Sequence, residues 1–455
     1  MNNYSFQFAD SYLGFWNIPN IGRRIPGSLY VEQHSVRLEL FWNNAITVGL
    51  SSISYATGYA HTETDNKKVC FYFVLKGLKI TSNSWFGRHQ SKYKLDVNHF
   101  FMSDTPRFST NGILNCCIRT SLMDKWVWDY TQGSYSNLWP FKENDTIELN
   151  YQSKPSMTLF ESASYKLYLK FGYESQTPNA SGFKISTKSF LNLTLKKKHK
   201  LYDALDLTES VIWLFSLLWN NQFNPEFIEF RTEKTKFIYK QSDRYSYKYH
   251  DIVNNAISTL ISDFNKEELL AVMTKWFSYY EEEKPTISTF FETQFNEHTT
   301  PSTLIKNYMS VIDGLTRNHI SPSSGQTSDS KRLKKFEPSF RKIKAVLTPK
   351  EFNEIKMAII RESPTDLKPR FSHLIETLSG FIDIDLDTDF CMKAVETRNL
   401  ITHPKSMGKE IFGKEQYRDV AYCLEDIIRA CILYDLGLSK DLAKKIVKGI
   451  SCHDR

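Results

Sequence analysis

LYDALDLTESVIWLFSLLWNN, residues 201–221, is where the hydrophobic period of this chain changes. Leu201, Leu205, Ile212, Phe215 and Trp219 recur at threes, fours and sevens, as one face of a helix does. Upstream, the apolar runs are short and roughly alternating: SLYVEQHSVRLELFW (28–42), KVCFYFVLKGLKI (68–80), TIELNYQ (146–152) and SYKLYLKFGY (164–173). They are rich in Val, Ile, Tyr and Phe and are separated by Gly, Asn, Asp and Pro clusters, the pattern of antiparallel strands. A sandwich or partly closed barrel with one wet face follows from it. A second β-like stretch, FIEFRTEKTKFIYKQSDRYSYKYH (227–250), comes after the helix.

From about residue 250 the chain reads as helices. The periodic segments are 251–264, 266–283, 302–319, 350–362, 369–380, 388–403, 414–437 and 440–449. Pro301, Pro349 and Pro369 mark starts, and Gly380 and Gly437 mark ends. SPSSGQTSDS (321–330) has linker composition. The expected fold class is therefore α+β in two parts: a β-rich region over 1–249, then an all-helical region over 250–455.

Composition narrows the function classes. The 455 residues are 41% hydrophobic and 24% charged, ordinary for a folded globular chain. VIWLFSLLW (211–219) is too short to span a bilayer, and MNNYSFQFADSY carries no basic region followed by an apolar stretch. Seven cysteines, none in a C-x-x-C pair and two adjacent at Cys116 and Cys117, argue against a zinc site or a disulfide framework. A reduced, cytoplasmic protein without membrane association is expected. FIDIDLDTDF (381–390) alternates Asp383, Asp385, Asp387 and Asp389, but a calcium loop starting at Asp383 would need glycine at 388 and glutamate at 394, where the chain has Thr388 and Ala394. No metal and no cofactor are expected.

The net charge of +7 is unevenly placed. KRLKKFEPSFRKIK (331–344) holds seven basic residues and one acidic. Lys331, Arg332, Lys334, Lys335, Arg341 and Lys342 are thus candidate contacts to an RNA backbone, with a solvated basic helix as the alternative. LKKKHK (195–200) reads as an exposed turn after a strand. The tyrosines of SDRYSYKYH (242–250) read as half-buried strand aromatics, with base stacking as the alternative.

VETRNLITHP (395–404) carries the chemistry. Arg398 is followed by Asn399, and Asn399 and His403 stand one helical turn apart. Pro404 cannot donate to residue 400 and disfavours helical dihedrals at His403, so His403 is expected at a helix C-terminus, where the dipole favours an imidazolium. His403 can move protons near neutral pH, Arg398 can hold a phosphate, and Asn399 can orient either. An Arg and a His at such a spacing arise by chance roughly once in a chain of this composition. Arg244 and His250 make a second instance with no supporting context. Glu396 could buffer Arg398, or be an ordinary solvated helix residue.

VETRNLITHP resembles the R-N-x-x-x-H signature of HEPN domains, helical modules that include many metal-independent ribonucleases. FSHLIETLSG (371–380) is similar to the Apea-like HEPN subgroup. LGFWNIPNIGRRIPGSLYVEQHSVRLELF (13–41) resembles that subgroup's N-terminal domain through its G-x-W…P-G-x-L pattern. The resemblance implies an ApeA-type anti-phage, abortive-infection protein that cleaves RNA, with tRNA as a substrate class, and Arg398, Asn399 and His403 as catalytic residues. It also implies a homodimer through the HEPN region with the motifs facing. By analogy, the N-terminal region senses a phage-derived trigger. Two rival functions are a non-catalytic HEPN binding or antitoxin-like module, and a ligand-binding β domain with helices for dimerisation. In the second rival, Trp16, Trp42, Trp85 and Trp126 would line the ligand site, although core packing is the more usual role of such aromatics.

Overall fold

The computed structural model describes residues 8–19, 22–32, 35–42, 54–64, 67–86, 90–106, 109–120, 123–124, 155–175, 185–219, 223–241, 266–296, 299–317, 337–344, 346–349, 351–352, 367–381, 388–403 and 411–448. The chain divides into two compact units, Met1–Thr274 and Lys275–Arg455, described separately below. The boundary expected at 249/250, the linker 321–330, the strand 146–152 and the helix 251–264 lie outside the described residues. So do the Tyr-rich 242–250 and Asp383, Asp385 and Asp387.

The first unit is antiparallel β structure. Its strands are β1 (Ser11–Ile18), β2 (Gly22–Val31), β3 (Val36–Trp42), β4 (Tyr55–Thr64), β5 (Lys67–Phe86), β6 (Gln90–Ser103), β7 (Asn111–Arg119), β8 (Met157–Glu161), β9 (Tyr165–Ser175), β10 (Ile185–Lys200), β11 (Phe227–Arg231) and β12 (Lys236–Gln241). Hydrogen bonding runs in the order β3-β2-β1-β4-β5-β6-β12-β11-β7-β10-β9-β8, and β3 also pairs with β6. That additional pairing closes the first six strands into a ring. β6 serves both parts: residues 91–96 pair with β3, and residues 99–102 pair with β12. Because the ring has no free edge between β3 and β6, the template for edge-to-edge association is removed there.

Alternation decides the ring's interior. Tyr12, Trp16 and Ile18 of β1 are buried while Leu13 and Phe15 between them are exposed. Ile25, Leu29, Leu38, Leu40, Phe73, Leu75, Tyr93 and Leu95 complete the core. Trp16 fits because β4 presents Ala56, Gly58 and Ala60 to it; a Cβ at Gly58 would lie 2.2 Å from the indole. The role of Trp16 is therefore core packing, not ligand lining. The side chains of Trp42, Trp85 and Trp126 lie outside the described residues.

Helix α1 (Leu201–Trp219) follows β10 without a break and packs on β7 and β10. LKKKHK is thus the end of strand β10, not a turn. Pairing with β7 and β9 holds the segment in the strand, and carboxylates meet two of its exposed lysines: Lys196 with Glu161 at 3.2 Å and Lys198 with Glu233 at 2.9 Å. In β7, with Cys116 toward Thr208 of α1 and Cys117 on the opposite face, burial pushes both thiols up to about 12. Both are free cysteines, held as neutral thiols and poor nucleophiles.

The helices downstream are α2 (Lys266–Gln294), α3 (Pro301–Thr316), α4 (Leu367–Thr377), α5 (Thr388–Thr402), α6 (Tyr417–Asp435) and α7 (Lys440–Lys448). The dividing point between the units falls within α2. The sequence placed the end of α2 near 283, before Pro285. The helix instead kinks at Glu283 (φ −108°, ψ 16°) and continues, since Pro285 removes a donor without breaking the packing of Ile287, Phe290 and Phe291. Thr300 caps α3 by accepting the Thr303 N–H, with Pro301 in the first turn. Gly380 (φ +88°) and Gly437 (φ +76°) take the left-handed conformation that ends α4 and α6.

In the second unit α3 packs against α4, α5 and α6. Buried polar groups fix the arrangement. Glu425 of α6 accepts from Gln294 Nε2 at 2.9 Å and from Tyr308 OH at 3.2 Å, and pairs with the fully buried Arg429 at 3.4 Å. Arg370 of α4 reaches the C-terminal turn of α3, donating to Thr316 Oγ1 at 3.0 Å, to the Asp313 carbonyl at 3.2 Å and to the Asp313 carboxylate. Among the described residues, no helix is long and apolar enough to cross a membrane.

Candidate active site

Helix α5 is a two-faced helix whose apolar positions set the direction of its polar ones. Cys391, Ala394, Val395 and Thr397 are buried. Glu396, Asn399 and His403, at i, i+3 and i+7, then fall within about 60° of one another on a different stripe at 100° per residue. α5 ends at Thr402, and the His403 N–H still donates to the Asn399 carbonyl at 2.7 Å. His403 is exposed, one turn beyond Asn399 at the C-terminal end of the helix. The C-terminal end of a helix favours a cation beside it.

Arg398 starts about 100° round the helix from Asn399. Its side chain bends back, and Nη1 donates to Asn399 Oδ1 at 3.2 Å. Arg398 is half-buried, and its Nε is a buried donor with no hydrogen-bond partner among the described residues. Its backbone carbonyl accepts from Thr402 Oγ1 at 2.8 Å. The helix end thus presents a guanidinium, a carboxamide and an imidazole within one turn and a half. An oxyanion beside it would meet a charged planar donor, and a hydroxyl beside it would meet an imidazole that can exchange a proton with it.

Two residues that the sequence did not single out support this end of α5. Lys368 of α4 pairs with Glu396 and ties it to a neighbouring helix. Thr397 is fully buried, and its Oγ1 accepts the Phe412 N–H at 3.0 Å, which anchors the chain that returns after the motif. Phe390 adds a ring contact to Phe412 at 5.5 Å. Partners 15 and 28 residues away leave no local pattern, so neither contact has a sequence signal.

The basic segment is partly described. Arg341 and Lys342 are exposed on the helical turns 337–344, and Arg341 pairs with Glu337 at 3.2 Å. Lys331, Arg332, Lys334 and Lys335 lie outside the described residues. Asp389 pairs with Lys393 at 3.2 Å, the use of a first-turn carboxylate within its own helix.

Comparison with known families accounts for both units. Residues 306–442, which include the whole of α5, match the Apea-like HEPN family. Residues 11–280, more than half of the chain, match the ApeA N-terminal domain 1 family. The chain belongs to the ApeA family. It is an anti-phage protein of HEPN type, with a β-rich N-terminal region and a helical HEPN region. No curated protein and no solved structure matches it significantly.

Proposed function

We propose that this ApeA-family chain is a metal-independent endoribonuclease of an abortive-infection system, cutting RNA, with tRNA as a substrate class, at the end of α5. The observation that carries the reading is the Arg398 guanidinium turned onto Asn399 Oδ1 one turn before an exposed histidine at a helix C-terminus. Cleavage by attack of a ribose 2′-OH on the neighbouring phosphorus needs a proton removed from that hydroxyl. It also needs a proton given to the leaving 5′-oxygen, and charge stabilisation on the phosphoryl oxygens. His403 serves as one proton-transfer group and Arg398 as the charge stabiliser, while Asn399 fixes the direction of the guanidinium.

One histidine supplies one of the two proton transfers. In a homodimer through the HEPN regions, two copies of His403 and Arg398 meet across a two-fold axis and supply both. Lys331, Arg332, Lys334, Lys335, Arg341 and Lys342 steer the RNA backbone toward this composite site. The β-rich region, 1–249, restrains the nuclease and releases it on a phage-derived trigger.

Phage challenge tests the reading in cells. Bacteria expressing the wild-type chain are expected to block phage growth, with cleaved RNA appearing after infection, whereas Arg398→Ala cells give plaques at the level of unprotected cells. Protection by both chains without RNA cleavage would favour a non-catalytic HEPN binding module.

A further inference from the structure

The outer surface of the six-stranded ring carries an aromatic row that the nuclease reading does not use. Phe15 of β1 is 51% exposed and Tyr59 of β4 is 45% exposed. Phe15 pairs in register with Pro26 of β2 on one side and with Tyr59 on the other, and Tyr59 pairs with Tyr72 of β5. The four residues therefore form one outward line across four adjacent strands, spanning about 14 Å at the usual strand spacing. The Tyr59 and Tyr72 rings lie 4.8 Å apart. Leu13, 53% exposed, and His61 form the next row, paired directly with each other. An exposed row of rings flanked by a leucine offers flat apolar surface to a partner.

The charges beside the row indicate the occupant. The Arg24 guanidinium stands 5.6 Å above the Phe15 ring. Arg24 is the one non-glycine residue with positive φ among those described, at +59°, and its backbone N–H is held by Asn17 Oδ1 at 3.0 Å. The strained backbone keeps the cation over the ring, and among the described residues no carboxylate pairs with it. Further round the ring Phe41, 46% exposed, pairs in register with Lys92, whose ammonium stands 5.6 Å over its ring. Lys92 also pairs with Glu39 at 2.8 Å, and Lys94 at 3.7 Å and Arg37 at 4.0 Å share that one carboxylate, so the cluster keeps an excess of positive charge. Flat exposed rings with cations beside them fit a ligand that alternates planar bases with phosphates.

We propose that the outer face of the ring, centred on Phe15 and Tyr59 with Arg24 as its phosphate contact, binds unpaired single-stranded nucleic acid. Bases stack on Pro26, Phe15, Tyr59 and Tyr72, and the backbone follows Arg24 and Lys92, a span of roughly three nucleotides. The site belongs to the first unit and the end of α5 to the second, and the proposal stands whether or not that end is catalytic.

The test uses the full chain and a fluorescent twelve-residue oligothymidylate, which has no 2′-OH and so cannot be cleaved by 2′-OH attack. Anisotropy at low salt is expected to show binding, weakened about tenfold or more by Phe15→Ser with Tyr59→Ser and by Arg24→Ser, and retained by Phe15→Tyr with Tyr59→Phe. Both Ser variants change exposed side chains, and circular dichroism checks that the fold is kept. An oligouridylate arm, read on His403→Ala protein, tells RNA from DNA: equal loss in both arms supports a base-stacking site for either. Wild-type affinity in the aromatic variant would overturn the proposal. So would equal competition by polyphosphate, which has charge but no bases. A change of oligomeric state in the aromatic variant with unchanged oligonucleotide binding would assign the face to a second copy of the chain and overturn it too.

Discussion

His403→Ala is expected to lower the rate of RNA cleavage by about 10²–10⁴-fold, the range associated with loss of one general acid or base. The substitution removes an exposed side chain at the end of α5. Thermal stability should therefore stay within about 0.5 kcal/mol of wild type. The pairing of a large rate effect with a small stability effect is what separates a proton-transfer role from a structural one. Single-turnover cleavage of a radiolabelled tRNA, alongside a melting curve, measures both. If the same His403 acts in both halves of a dimeric site, mixed dimers of wild-type and His403→Ala chains should cut far more slowly than an equal amount of wild-type dimer. A full rate in the all-alanine protein would remove His403 from the chemistry.

The largest stability effect is expected at Glu425→Ala, at about 3–5 kcal/mol of destabilisation. Glu425 is the meeting point of three elements: Gln294 of α2, Tyr308 of α3 and Arg429 of its own helix. Its loss strips a buried guanidinium of this carboxylate and leaves the Tyr308 hydroxyl without this acceptor. The arrangement is a specificity device more than a source of stability, since a buried ion pair recovers little beyond the cost of desolvating both charges. Accordingly Glu425→Leu combined with Arg429→Met should be less destabilised than Glu425→Ala alone. Chemical denaturation of the three proteins decides it. A loss below about 1 kcal/mol in Glu425→Ala would mean that the network does not hold α6 to α2 and α3.

Local features of the fold were legible in the residues, and distant ones were not. The period change at 201–221 marks the helix to within two residues of its end, whereas the single run read over 28–42 takes in two paired strands, the end of β2 and the whole of β3. The closure of the ring was not legible, because it joins residues 37–42 to 91–96 and alternation names a strand without naming its partner. Pro285 misled for a different reason: a proline weakens a helix locally, while buried side chains on both sides of the kink keep α2 continuous.

The same division holds at the candidate site. Asn399 and His403 are four residues apart, so their alignment follows from helix geometry alone. The bend of Arg398 onto Asn399 had no sequence signal and is a feature of the folded chain. Lys368 and Thr397 gave no sign, since their partners Glu396 and Phe412 reach them through tertiary packing.

The central claim is a cut made by 2′-OH attack without a metal, and the termini of the cut RNA test it most directly. Wild-type protein with an excess of a divalent-metal chelator is expected to cleave at its full rate, leaving a 2′,3′-cyclic phosphate on one fragment and a 5′-hydroxyl on the other. Mass spectrometry of the fragments reads both ends. A 3′-hydroxyl with a 5′-phosphate, or a complete loss of cleavage with the chelator that added magnesium restores, would contradict the account.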